Sequence, residues 1–294
     1  MSKVAWLGTG VMGAPMARHL KEKGYEVSAY NRTYAKAAAL EQFGIHACPT
    51  VAEAVTDADY VFTMVGYPKD VEEIYMGVGG IFENVSKAGV ITVDMTTSSP
   101  DLAQRLYEEG KKRGVSVLDA PVSGGDKGAK NATLSIMVGG DKETYDKMLP
   151  LFAALGTSIN YMGGAGCGQH TKMCNQICVA GATAAYTEAL AYAESVGLDK
   201  EKMLAAIAGG AAGSWQISNM APRALKGDFA PGFFVKHFIK DMRIAVDEMK
   251  KQGQELPMLE AVLSQYVKMA DSGMENDGTQ ALIKLYCPDF AQKN

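Results

Sequence analysis

The chain has 294 residues, 47% of them hydrophobic, a formal net charge of −4 and an isoelectric point near 5.7. That length accommodates two domains with full cores. The mixed charge excludes a nucleic-acid or anionic-membrane footprint, and no apolar run is long enough to span a bilayer.

The first apolar run, residues 4–7, reads as a buried strand that enters Gly8, Gly10 and Gly13, spaced G-x-G-x-x-G. A helical pattern follows, with Met12, Met16 and Leu20 at four-residue steps. Strand, tight turn and helix in this order make a dinucleotide-binding unit. Gly8 permits the sharp turn, Gly10 lets the backbone approach a pyrophosphate, and Gly13 lets helix and strand pack closely. Gly8, Gly10, Val11, Met12 and Gly13 are therefore expected to cradle the phosphates at a helix N-terminus, where free N–H groups and the helix dipole favour an anion. The start of the chain shows no charged, apolar, cleavable leader. A cytoplasmic enzyme is expected.

Further strands are predicted at 25–30, 60–65, 90–94, 115–119, 134–138 and 158–161. Helices are predicted between them at 34–43, 69–75, 100–113 and 142–153. Such alternation specifies an α/β fold, a doubly wound and mostly parallel sheet that binds its ligand at the carboxyl ends of the strands. After Gly163-Gly164-Ala165-Gly166 the pattern changes. Residues 169–196 lack proline and are rich in Ala, which suits one long helix. Helices are then predicted at 200–208, 214–225, 238–252, 257–271 and 279–286. The expected organisation is an N-terminal cofactor-binding domain, 1–163, and an all-helical substrate and oligomerisation domain, 164–294, joined by the long helix.

The end of the second strand is Asn31-Arg32-Thr33, with no acid to hold a ribose 2′-hydroxyl. A guanidinium at Arg32 can pair with a 2′-phosphate and stack on adenine, and Asn31 and Thr33 can add hydrogen bonds. NADP(H) is the preferred cofactor on this reading, with NAD(H) as the alternative.

Two other segments carry chemistry. Asp119-Ala-Pro-Val-Ser123-Gly124-Gly125 ends a strand in small residues, and its exposed backbone N–H groups suit a carboxylate. In Gly166-Cys-Gly-Gln-His-Thr-Lys172-Met-Cys-Asn175, Lys172 and Asn175 lie three apart near a helix start and share a face. A lysine beside a helix N-terminus and a cofactor pocket is suited to acid/base work. The five cysteines, Cys48, Cys167, Cys174, Cys178 and Cys287, form no C-x-x-C pair and read as free thiols. His19, His46, His170 and His237 lack ligand spacing, so no metal site is expected.

Taken together, the glycine turn with Met12, Pro15 and Met16, the Asp119–Gly125 segment, the Lys172-x-x-Asn175 helix and the segment ending His237-Phe-Ile-Lys240-Asp241 resemble the β-hydroxyacid dehydrogenases. That family includes 3-hydroxyisobutyrate dehydrogenases, tartronate semialdehyde reductases and glyoxylate/succinic semialdehyde reductases. The resemblance runs through the whole chain in the right order. It implies a Rossmann domain followed by a helical one, and a lysine, Lys172, that exchanges a proton with the substrate oxygen. It implies that Ser123, Gly124, Gly125 and Asn175 bind substrate and that Met64, Val65 and Thr97 contact the cofactor. Lys240 would reach toward the nicotinamide ribose or the substrate, with Asp241 positioning it. The expected partners are a small carboxylate-bearing carbonyl or hydroxy acid and further copies of the chain in a homodimer or homotetramer, with no nucleic acid and no membrane. Many members carry Leu-Pro after the fourth strand, whereas this chain has Met64-Val-Gly-Tyr67-Pro68. Trp215 is expected either to line the substrate pocket or to fill a helix–helix contact. The alternatives are an imine-reductase-like enzyme, which usually replaces the lysine, and a non-catalytic scaffold of the same fold, which loses it.

Overall fold

The computed structural model describes residues 2–287. These residues form two compact units that divide between Lys172 and Met173.

The first unit is built on a sheet of nine strands: β1 Lys3–Leu7, β2 Glu26–Tyr30, β3 His46–Cys48, β4 Tyr60–Thr63, β5 Ile91–Asp94, β6 Ser116–Asp119, β7 Val122–Ser123, β8 Leu134–Gly139 and β9 Gly156–Gly163. Strand order is β3-β2-β1-β4-β5-β6-β8-β7, with β9 also paired to β8. The first six strands run parallel, and β8 pairs antiparallel with β6 and β7. The central strands β1, β4, β5 and β6 are buried on both faces, as parallel strands covered by crossover helices must be. Val4 and Trp6 join one core, with Val27, Phe62 and Leu118; Ala5 and Leu7 join the other, with Val61, Val71 and Leu106. Trp6 stacks on Phe62 at 5.3 Å between centroids.

Register positions the functional loops. Tyr30 pairs with Leu7, Leu7 with Thr63, Thr63 with Asp94 and Asp94 with Asp119. Five strands thus end in one row, and the segments after them emerge side by side from the carboxyl edge of the sheet.

The second unit is helical. The helix Cys167–Ser195 begins in the first unit and continues into the second. It is followed by Lys200–Ala208, Trp215–Asn219, Ala221–Leu225, Val235–Lys251 and Pro257–Asp271, then by a 3₁₀ turn at Thr279–Leu285. Phe238, Met242, Tyr266 and Met269 centre one apolar cluster, and Tyr186, Leu190, Ile217 and Ala224 another. No helix among the described residues is long and apolar enough to cross a membrane.

Several expected elements differ. The helix expected at 34–43 is helical only at Tyr34–Ala38, followed by a 3₁₀ turn at Glu41–Phe43 that ends in left-handed Gly44. The helix expected at 214–225 breaks at Met220, because Pro222 has no N–H to continue it and instead opens Ala221–Leu225. Strands β3 and β7, of three and two residues, are too short to show a hydrophobic period.

Candidate active site

Each glycine of the N-terminal turn meets a different constraint. Gly8 has φ +102°, and a Cβ there would strike the carbonyl of Met64. A Cβ on Gly13 would strike the carbonyl of Gly8, the same carbonyl that accepts the Trp6 indole N–H at 3.0 Å. A Cβ on Gly10 would meet nothing within 4 Å, so the backbone there is open to a ligand. The helix Gly13–Glu22 has neither a capping side chain nor an acid in its first turn. The Ala14 N–H donates to the Gly10 carbonyl at 3.0 Å and Pro15 has no N–H, so an anion would be met by the amides of the turn ahead of them. Val11 is exposed, while the Thr9 hydroxyl is buried with no hydrogen-bond partner. The turn fits the pyrophosphate of a dinucleotide.

Asn31 is engaged with the protein itself: its Oδ1 accepts from the Thr9 N–H at 3.0 Å and its Nδ2 donates to the Thr33 carbonyl at 3.1 Å. It clamps the glycine turn to the end of β2. Arg32 is 82% exposed and forms an ion pair at 3.3 Å with Asp70. Asp70 also accepts from the Tyr67 N–H at 3.0 Å and closes the start of the helix Pro68–Met76. The shifted proline is thus the first residue of that helix, where a missing N–H costs nothing.

Met64 and Val65 leave β4 beside the segment that leaves β5. The Val65 N–H donates to the Thr96 hydroxyl at 3.0 Å. Buried Asp94 accepts from the Thr63 hydroxyl at 2.7 Å and from the Thr96 N–H at 3.1 Å. Partly buried Thr97 follows.

The Asp119–Gly125 segment and Lys172 meet within the first unit. The Lys172 ammonium, on a side chain that is almost fully buried, donates to the Val122 carbonyl at 2.8 Å, one residue from Ser123. Gly124 and Gly125 both have positive φ, +131° and +61°, so the turn after Ser123 tolerates no ordinary residue. Asp119 anchors the start of the lysine helix. One of its oxygens accepts from the Gly166 N–H at 2.8 Å and the other from the Gln169 N–H at 2.8 Å. Burial pushes its carboxyl up to about 7, with Asp94 adding to the rise and the two amides opposing it.

The second unit holds its own polar chain. The Asn175 amide donates to Gln176 at 2.7 Å, the Gln176 amide donates to Asp241 at 2.6 Å, and Lys240 pairs with Asp241 at 3.1 Å. Asp241 and Gln176 are buried, as is most of Lys240. Lys240-Asp241 is thus a sheltered pair, unlike the exposed helix pair such spacing usually gives. Trp215 is 58% exposed.

The sequence assigned no role to Asp94, Gln169 and Gln176, and placed Thr96 only at a strand end. Their one signal is a polar residue at a strand end or near a helix start, which becomes informative only once burial is known. Among the described residues no group of three or more His, Cys, Asp or Glu side chains is placed to hold a metal.

Comparison with known proteins agrees with this fold. Residues 3–164 match the model of the NAD binding domain of 6-phosphogluconate dehydrogenase. Residues 166–286 match the NAD-binding model of NADP-dependent 3-hydroxyisobutyrate dehydrogenase. An uncharacterized oxidoreductase of Bacillus subtilis (strain 168), YkwC, is 50% identical over 96% of this chain and 98% of its own length. A probable mitochondrial 3-hydroxyisobutyrate dehydrogenase-like protein 1 of Arabidopsis thaliana is 42% identical over 96% of this chain and 84% of its own. The solved structure of Mycobacterium tuberculosis 3-hydroxyisobutyrate dehydrogenase with L-serine superposes with a TM-score of 0.90 at 30% identity, covering 98% and 99% of the two chains. Fold and matches define an oxidoreductase with a nicotinamide-dinucleotide-binding domain. The chain belongs to the β-hydroxyacid dehydrogenase family, whose members are NAD(P)-dependent hydroxyacid dehydrogenases.

Proposed function

We propose that this chain is an NADP(H)-preferring 3-hydroxyacid dehydrogenase or semialdehyde reductase with Lys172 as its general acid/base. The observation that carries the reading is the buried Lys172 ammonium held 2.8 Å from the Val122 carbonyl, beside Ser123-Gly124-Gly125. A cation at that place can protonate a carbonyl oxygen as it becomes an alkoxide, and its conjugate amine can take the hydroxyl proton in reverse. Substrate carboxylate and hydroxyl are read onto Ser123, Gly124 and Gly125, with Asn175 and Lys240 as further contacts and Asp241 as the support of Lys240.

The bound nicotinamide supplies the hydride for reduction and accepts it in oxidation. The residues that would hold it are Gly8, Gly10, Val11, Met12 and Gly13 at the pyrophosphate, Met64, Val65 and Thr97 further along the carboxyl edge, and Arg32 with Thr33 at the 2′-phosphate. Asn31 supports the glycine turn. The NADP(H) preference rests on Arg32 and on the lack of an acid at the end of β2. We take 1–163 as the cofactor-binding domain and 164–294 as the substrate and oligomerisation domain of a homodimer or homotetramer.

The substrate class is a short carboxylate-bearing hydroxy acid or its semialdehyde. L-serine, present with the M. tuberculosis neighbour, belongs in the test panel. The experiment follows NADPH and NADH oxidation with glyoxylate, succinic, tartronate and methylmalonate semialdehydes, and NADP⁺ or NAD⁺ reduction with L-serine and 3-hydroxyisobutyrate, beside Lys172→Ala. NADPH-dependent turnover lost in the variant supports the reading; full turnover by the variant removes Lys172 from catalysis.

A further inference from the structure

Gln169 is fully buried and uses both ends of its carboxamide on one loop. Its Oε1 accepts from the Ser98 N–H at 2.9 Å, and its Nε2 donates to the Thr96 carbonyl at 2.8 Å. These two groups flank Thr97, so the amide brackets that residue from both sides. The Gln169 backbone N–H donates in turn to Asp119 at the end of β6. Lys172 lies three residues further along the same helix. One side chain therefore ties the segment after β5 to the first turn of the helix that carries the lysine.

The chemistry of the bracket is specific. A carbonyl and an N–H two residues apart need a donor and an acceptor on one short planar group, which a carboxamide presents. An apolar replacement leaves two buried backbone groups without partners.

We infer that Gln169 is a positioning residue of the reaction, setting the Thr97 loop against the Lys172 helix so that cofactor and proton donor keep a fixed spacing. This rests on the roles proposed above for Thr97 and Lys172. A reacting geometry displaced by about 1 Å loses on the order of 10²-fold in rate, so the effect is larger than the loss of one hydrogen bond suggests.

The test compares wild type, Gln169→Leu, Gln169→Glu and Lys172→Ala. NADPH affinity is titrated by fluorescence, and kcat and KM are measured with the best aldehyde acid of the panel, on protein whose far-UV circular dichroism matches wild type. Lost stability alone does not move these readouts. Gln169→Leu is expected to weaken NADPH binding about tenfold and lower kcat about a hundredfold, with little change in KM for the aldehyde acid. Gln169→Glu keeps the acceptor for Ser98 but turns a carboxylate toward the Thr96 carbonyl. Neighbouring Asp119 and Asp94 raise the introduced carboxyl and the Lys172 ammonium opposes them, with burial reinforcing the rise. This variant should match Gln169→Leu at about pH 8 and return to within about threefold of wild type at about pH 5.5, where the protonated acid again donates. If Gln169→Leu does not fold, the pH dependence of Gln169→Glu decides alone. NADPH affinity and kcat within about twofold of wild type in Gln169→Glu at both pH values, beside a wild type that binds and turns over and a Lys172→Ala that binds but does not turn over, would overturn this inference alone. A wild type that binds no nicotinamide, or a fully active Lys172→Ala, would overturn the proposed function and this inference with it.

Discussion

At the scale of single residues, the chemistry depends on where a charge is sheltered. Lys172→Ala removes the proposed proton donor beside Ser123 and should lower kcat by about 10²–10⁴-fold, while NADPH binding measured by fluorescence stays near wild type. Arg32 is exposed, and its ion pair with Asp70 contributes little to stability. Arg32→Ala should leave the melting temperature within about 1 °C and weaken NADPH about tenfold, with NADH barely affected; equal losses for both cofactors would sink the 2′-phosphate reading. Asp119 makes stability depend on pH. An aspartate in the unfolded chain titrates near 3.9, and burial lifts Asp119 to about 7 in the fold. Between these values the native state binds a proton that the unfolded state has released. Its stabilising contribution is complete below about pH 4 and is lost as pH rises through about 7. Urea midpoints of wild type measured against Asp119→Asn should therefore fall across that window and level off above it. A difference that rises with pH would show that the two amides from the helix start outweigh burial.

At the scale of elements, the helix Cys167–Ser195 offers a contrast between two glycines. A Cβ on Gly168 would collide with the carbonyls of Met137 and Asp119, both backbone atoms that cannot swing aside. Gly168→Ala should destabilise by about 1–3 kcal/mol and also lower activity, because the helix start would back away from β6. A Cβ on Gly181 meets nothing within 4 Å. Gly181→Ala should stabilise by about 0.5–1 kcal/mol, read from the same urea transitions. The sequence showed this helix by its run of helix formers, to within two residues at its start. It could not show that Asp119, some fifty positions earlier, receives the first amides. Nothing local to Asp119 encodes that contact, because the partner arrives through the sheet.

At the scale of the whole molecule, each unit has its own apolar clusters. A cofactor held by the first unit acts on folding through mass action. NADPH at about 100 times its Kd should stabilise by about 2.7 kcal/mol, seen as a rise in melting temperature that NADH at the same concentration does not match. Family, fold class and cofactor chemistry were all legible before any coordinates. The glycine spacing, the strand–helix alternation and the loss of strand character after Gly166 are local or periodic signals, and such signals survive in a one-dimensional chain. Lys172 and Ser123 were legible as members of motifs, but only the fold brings the ammonium to the carbonyl next to that serine. The tertiary structure alone decided that Asn31 clamps the glycine turn, that Gln169 brackets Thr97 and that Gln176 links Asn175 to Asp241. The physical reason is the same in each case. A polar side chain acquires its role from burial and from partners distant in sequence, and neither is written in the residues beside it.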